Sequence, residues 1–289
     1  MLKLQTPVEI GRIGPELSYG DRILVLGSCF ADNIGEKLKQ YGFRVCVNPF
    51  GTLYNPVSVC SALDRLENGR PFTEEDCVAL GAGDGRIGSF CHHTSFARET
   101  PEAFLAVANE ALSEASVFCR ECTKVILTLG TAWCFRHVDS RQIVANCLKR
   151  PAAEFVRERL DIPGVTALLR RAVVSAPEKA FIFTVSPIRH LKDTAHGNQL
   201  SKSILLLAVE SIISDPELAA RTGYFPAYEI VMDELRDYRW YADDLIHPSS
   251  VTVNYLWERF MDSVLVSGEK ETLLEAGERF RKSQHRPMR

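Results

Sequence analysis

Two short stretches, far apart in the chain, carry residues whose types and spacing suit acyl chemistry. The first is Ile23-Leu24-Val25-Leu26-Gly27-Ser28-Cys29-Phe30-Ala31. Four aliphatic residues run into Gly-Ser, and Ile34, Leu38 and Tyr41 then follow at helical spacing. That pattern reads as a buried parallel strand, a sharp turn and a helix. The turn sets Ser28 beside the open N–H groups and the positive dipole end of a helix, at the strand end where α/β sheets bind ligands. Serine is equally a favoured helix N-cap, and this stretch alone leans toward capping. The second stretch is Tyr241-Ala242-Asp243-Asp244-Leu245-Ile246-His247-Pro248-Ser249. In a tight loop, the Asp-x-x-His spacing lets Asp244 bond one ring nitrogen of His247 and leaves the other to accept a proton. A structural histidine with a capping Asp is the bland alternative. Together the two stretches would meet over one sheet edge, with glycine turns at Gly51 and Gly130 beside them. Nucleophile, base, orienter and oxyanion donors would then share the carboxyl side of one sheet. Cys29 is a rival nucleophile, expected to point into sheet–helix packing.

The elements that must position these residues alternate along the chain. Strands read near 23, 43, 125, 181 and 226, the last as Phe225–Met232. Helices read near 31–41, 56–66, 101–120, 165–176, 200–213 and 249–265, with Asn55 and Pro56 as cap and first position of the second. This predicts one α/β domain over residues 1–289, a three-layer α/β/α fold on a doubly wound, mostly parallel sheet of about five strands. Residues 136–163 read as mixed, with a short helical piece about Phe155. Residues 68–100 are least regular. Gly81, Gly83, Gly85 and Gly88 precede Phe90, His92, His93 and Phe96, which suits a mobile wall of a substrate pocket. Arg189 and His190 lie in a polar segment after the fourth strand and are placed at the same pocket. Residues 278–289 carry five Lys/Arg and read as a solvated basic tail.

Composition narrows the classes. The 289 residues are 46% hydrophobic and 25% charged, with formal net charge -3, which argues against a nucleic-acid or membrane surface. No apolar run is long enough to span a bilayer, and the first residues lack the pattern of a secretory signal. The nine cysteines are odd in number and scattered, which suits free thiols in a cytoplasmic protein. Cys119 and Cys122 form a lone CxxC without a second pair, and adjacent His92 and His93 point apart on regular elements, so neither a metal nor a cofactor is expected.

Gly27-Ser28-Cys29-Phe30-Ala31 spells the GSCFA motif, and the chain resembles the GSCFA family, a branch of the SGNH hydrolase-like superfamily, from about residue 21 to 265. Asn48-Pro49-Phe50-Gly51-Thr52, Tyr54-Asn55-Pro56, Leu129-Gly130-Thr131-Ala132-Trp133, Ser186-Pro187-Ile188-Arg189-His190 and Asp244-x-x-His247-Pro248 carry the rest of the resemblance. The resemblance implies an SGNH/flavodoxin-like fold. It implies Ser28 as nucleophile, His247 as base, Asp244 as orienter, and the Ser28 and Gly51 amides as oxyanion donors. The SGNH pattern has an asparagine as third donor where this chain has Ala132, which leaves Thr131, Asn55 or a loop group to replace it. The implied activity is a serine esterase or deacylase on a small-molecule or glycoconjugate acyl ester. Acyl transfer to another acceptor and a non-catalytic ligand-binding module are the alternatives.

Overall fold

The computed structural model describes residues 6–284. Its centre is a five-stranded parallel sheet of β1 (Arg22–Gly27), β2 (Arg44–Val47), β5 (Lys124–Leu129), β9 (Ala180–Val185) and β10 (Thr222–Phe225), in the order β10-β9-β5-β1-β2. This is a flavodoxin-like winding, and the direction of winding switches between β1 and β5. Register brings the strand ends level there: Gly27 lies beside Thr128, and Leu129 beside Val185.

Both faces of the sheet are covered, which explains the largely apolar sequences of β1, β5 and β9. Leu24, Leu26, Val125, Leu127, Phe181 and Phe183 pack under α2 (Pro56–Asn68), α3 (Pro101–Glu121), α4 (Ile162–Val174) and α5 (Thr194–Ile213). Ile23, Val25, Ile126 and Ile182 pack on the other face under α1 (Cys29–Gln40) and α7 (Ser250–Val264). The architecture is therefore three-layer α/β/α.

Two sequence expectations are corrected. Strand β10 ends at Phe225, before Pro226, and Phe225–Met232 is not a strand. Ala227, Ile230, Val231 and Leu235 are buried at helical spacing, so α6 (Ala227–Glu229) and a π turn at Ile230–Leu235 follow instead. Phe155 opens a strand and not a helical piece. β6 (Trp133–His137), β7 (Ile143–Val144) and β8 (Phe155–Arg159) form an antiparallel three-stranded insertion between β5 and α4. A small hairpin, β3 (Val78–Ala79) with β4 (Ile87–Gly88), stands in the least regular segment. Helix α8 (Lys270–Gln284) seats Gly277 against the Tyr41 ring; the basic stretch expected from 278 onward begins in its last turns, exposed apart from the half-buried Phe280, and its residues 285–289 lie outside the described region. No helix among the described residues is long and apolar enough to cross a membrane. None of the nine cysteines is in a disulfide.

Candidate active site

The site is built on the turn after β1. Gly27 has φ +138, and a Cβ there would lie 2.1 Å from the Thr128 carbonyl oxygen, so only glycine lets β1 stay paired to β5 and still turn. Ser28 follows as the N-cap of α1, its Oγ accepting from the Phe30 amide at 3.3 Å. The Ser28 amide continues the strand ladder and donates to Thr128 O at 3.1 Å. The first helical amide, Cys29 N–H, donates to no carbonyl among the described residues, as expected for one of the open donors of a helix start.

The Asn48–Asn55 loop braces this turn. Asn48 Oδ1 accepts from the Gly27 amide at 2.8 Å, its Nδ2 donates to Asp32 Oδ1 at 2.6 Å, and Leu53 N–H donates to Gly27 O at 2.8 Å. Gly51 has φ +82 and lies against His93, whose Cβ would be 2.3 Å from any Cβ at position 51. The Gly51 amide is turned inward, donating to Asn48 O at 2.7 Å. Asn55 caps α2, with Oδ1 accepting from Ser58 N–H at 2.9 Å. That bond fixes which way the amide group faces. Its Nδ2 donates to no group among the described residues, and Asn55 lines the cleft.

A cleft of about 680 Å³ opens over this floor. Cys29, Tyr54, Asn55 and Thr131 form its base, Trp133, Phe135, Val144 and Arg157 one wall, and Ile188 to Asp193 the other, with Ile246 and His247 at the rim. Arg157 stacks on Trp133 at 4.4 Å and pairs with the buried Asp193, which ties the two walls together. The volume suits a small-molecule ligand.

At the rim, His247 Nδ1 is 2.6 Å from Asp244 Oδ2. Asp244 Oδ1 accepts from the amides of His247 and Ile246, both at 2.9 Å. Those two amides and the imidazole hold the Asp244 carboxyl down at about 2, led by the His247 amide. Arg189 steadies the loop: its backbone N–H donates to Ile246 O at 3.3 Å and its guanidinium to Leu245 O at 3.1 Å. His190 lines the cleft beside it, and burial, reinforced by Lys202, lowers its imidazole to about 4, so it stands neutral.

Several expected site residues lie elsewhere. His92 is wholly buried among Phe50, Phe72, Phe96 and Phe104, with Nδ1 2.6 Å from Ser89 Oγ. Burial lowers it to about 3, and it is a core residue and no pocket contact. Phe90 meets His137 at a tilt and Phe155 edge-on, and lines a separate cavity of about 380 Å³ behind α2. His93 braces Gly51 from outside and bonds Ser95 Oγ at 3.0 Å. The 81–96 loop therefore supports the Gly51 loop from behind instead of walling the cleft, because His92 and Phe96 pack with the core aromatics Phe50, Phe72 and Phe104. Thr131 is also committed: its amide donates to Tyr54 O at 3.0 Å, and its hydroxyl bonds Ser201 Oγ and the Trp133 amide. Cys29, expected in the packing, lines the cleft instead, because it is the first residue of α1 and faces outward from the strand end. Burial and Asp32 push its thiol up to about 11. Ser28 itself is 1% exposed, just beneath this floor, and makes no hydrogen bond to His247.

Sequence reading missed Lys202, which is 0% exposed and reaches Gly130 O and Ser186 O under the cleft, where burial lowers its ammonium to about 7. One signal was present: Lys202 falls in phase with Leu205 and Val209 on the buried face of α5.

The GSCFA family model matches residues 22–260, and the chain belongs to the GSCFA family. No curated protein and no solved structure matches it.

Proposed function

We propose that this GSCFA-family protein is a serine esterase of the SGNH type, cleaving an acyl ester small enough for the cleft. One observation carries the reading: an Asp244–His247 pair at 2.6 Å stands at the rim of the cleft whose floor is the strand–turn–helix carrying Ser28. In the reaction, the Ser28 Oγ–H proton passes to His247 Nε2 as Oγ bonds the carbonyl carbon, and the carbonyl oxygen takes the negative charge. Asp244 holds the tautomer and supports the imidazolium. His247 then protonates the leaving alcohol as its C–O bond breaks. Water repeats the sequence on the acyl-enzyme and frees the acid. His247 must close onto Ser28 for the first step, and such contacts tighten when substrate binds. Its position on an exposed loop allows that motion.

The oxyanion donors in this reading are Cys29 N–H and Asn55 Nδ2. The Ser28 and Gly51 amides are occupied by Thr128 O and Asn48 O, whereas these two donors sit at the cleft floor without such partners. Cys29 also borders the cleft, but a thiol pushed up to about 11 is protonated at neutral pH and is a poor nucleophile. The test is hydrolysis of short-chain p-nitrophenyl esters by wild type, Ser28→Ala and His247→Ala. Turnover lost in both variants, with unchanged circular dichroism, supports the reading. Full turnover in Ser28→Ala refutes it, and no turnover of any ester by wild type favours the ligand-binding alternative.

A further inference from the structure

Helix α5 buries Leu205, Ala208, Val209 and Ile212 against the sheet, and Lys202 stands on that same face, fully buried. It has no carboxylate partner among the described residues. Its Nζ donates to Gly130 O at 2.6 Å and Ser186 O at 2.7 Å and lies 5.6 Å from the Tyr228 ring centroid. Those two carbonyls follow the ends of the neighbouring strands β5 and β9. The residue before it works on the same loop: Ser201 Oγ accepts from the Ala132 amide at 2.7 Å and bonds Thr131 Oγ1 at 2.9 Å. Two consecutive residues of α5 thus hold three consecutive residues of the β5 loop.

The other side of that loop meets the site. The Gly130 and Thr131 amides both donate to Tyr54 O, at 2.9 and 3.0 Å, and Tyr54 is joined directly to Asn55. A Cβ at Gly130 would lie 3.5 Å from Ser28 Cβ, so the same peptide also backs the serine. A buried ammonium without a carboxylate is costly, and an apolar side chain of the same length would fill the space without that cost. What the apolar chain lacks is the pair of donors. Charged or neutral, the amine keeps two N–H groups for the two carbonyls, so the clamp holds on both sides of its proton loss.

We infer that Lys202 is a positioning residue: by tying Gly130 O to Ser186 O it sets the Gly130–Thr131 peptide against Tyr54 and so fixes Asn55 and Ser28 at the cleft floor. The clamp is independent of the chemistry, but its effect on turnover rests on the esterase reading above. The experiment compares wild type with Lys202→Met by hydrogen exchange over residues 52–55 and 129–133, by kcat and KM on a p-nitrophenyl ester, and by thermal melting. Losing two hydrogen bonds should speed exchange of these segments by about 10–100-fold and lower kcat by a similar factor, with KM little changed. Unchanged exchange in a folded Lys202→Met protein overturns the clamp. Faster exchange with unchanged kcat overturns its role in positioning the site. If Lys202→Met does not fold, Lys202→Gln decides: its N–H₂ group, one atom shorter, restores folding if the donors hold the loop, and a Gln variant as unfolded as Lys202→Met overturns the clamp. If wild type cleaves no ester, the esterase reading falls, and exchange alone decides the clamp.

Discussion

Asn55 offers the sharpest single perturbation, because its two side-chain atoms do separable jobs. Oδ1 caps α2 through Ser58 N–H at 2.9 Å, while Nδ2, on a residue that lines the cleft, is the oxyanion donor of the proposed reaction. Serine caps about as well as asparagine but has no amide to reach the cleft. Asn55→Ala loses both jobs. Loss of one oxyanion donor costs about 2.7–4 kcal/mol of transition-state stabilisation, or roughly 10²–10³ in kcat. Loss of the cap costs about 1 kcal/mol, which shifts the melting temperature of a domain this size by about 2 °C. Asn55→Ser should therefore melt like wild type yet lose two to three orders of magnitude in kcat, while Asn55→Ala loses the same kcat and also melts lower. Ester kinetics and a calorimetric melt on the same three proteins check this. Near-normal kcat in Asn55→Ser, with the melt lowered only in Asn55→Ala, would reduce Asn55 to a cap and refute the oxyanion assignment.

Other outcomes follow from the same geometry. Asp244→Asn should cripple ester turnover while Asp243→Asn, one residue away, leaves it nearly intact; the reverse order would discard the Asp-x-x-His pair. Asp244 titrates near 2 in the folded protein, below the usual carboxylate value near 3.9, so its support of His247 is full above about pH 4 and is lost only as pH falls through about 2. Turnover between pH 4 and 9 should show no limb from this carboxylate. Gly27→Ala should cost more than about 4 kcal/mol, because the added methyl meets Thr128 O at 2.1 Å in a backbone with φ +138; a melt within a few degrees of wild type would contradict it. His92 titrates near 3 when folded and near 6.5 when unfolded, so the unfolded chain binds its proton first on acidification. Its stability contribution is full above about pH 6.5 and fades toward pH 3, and urea midpoints should fall with pH less steeply in His92→Leu than in wild type.

The layers were legible in the sequence wherever burial was two-sided. Ile23–Leu26, Val125–Leu127 and Phe181–Phe183 are unbroken apolar runs because helices cover both faces, and each lies inside its observed strand. Pattern failed where it was one-sided or short. Ile230-Val231-Met232 continues the apolar character of β10, and only the buried helical spacing of Ala227, Ile230 and Val231 reveals the turn. In β8, Phe155-Val156 run into three consecutive charges, Arg157-Glu158-Arg159, that also suit a helix surface, and its partner strand β6 fixes it as sheet. At the site, the Ser28 turn and the Asp244–His247 spacing could be read locally, since each lies within one loop. The direction of an amide could not. The Gly51 N–H closes a turn onto Asn48 three residues back. That the Ser28 N–H turns to Thr128, that His92 drops into an aromatic core, and that Lys202 reaches two carbonyls under the cleft are tertiary outcomes with partners far along the chain.

The central claim is that Ser28 is a nucleophile activated by His247, and labelling with a fluorophosphonate followed by mass mapping of the modified residue tests it most directly. The account predicts one adduct, on Ser28, absent in Ser28→Ala, strongly slowed in His247→Ala and preserved in Cys29→Ala. An adduct on another residue, or undiminished labelling of Ser28→Ala, would contradict it.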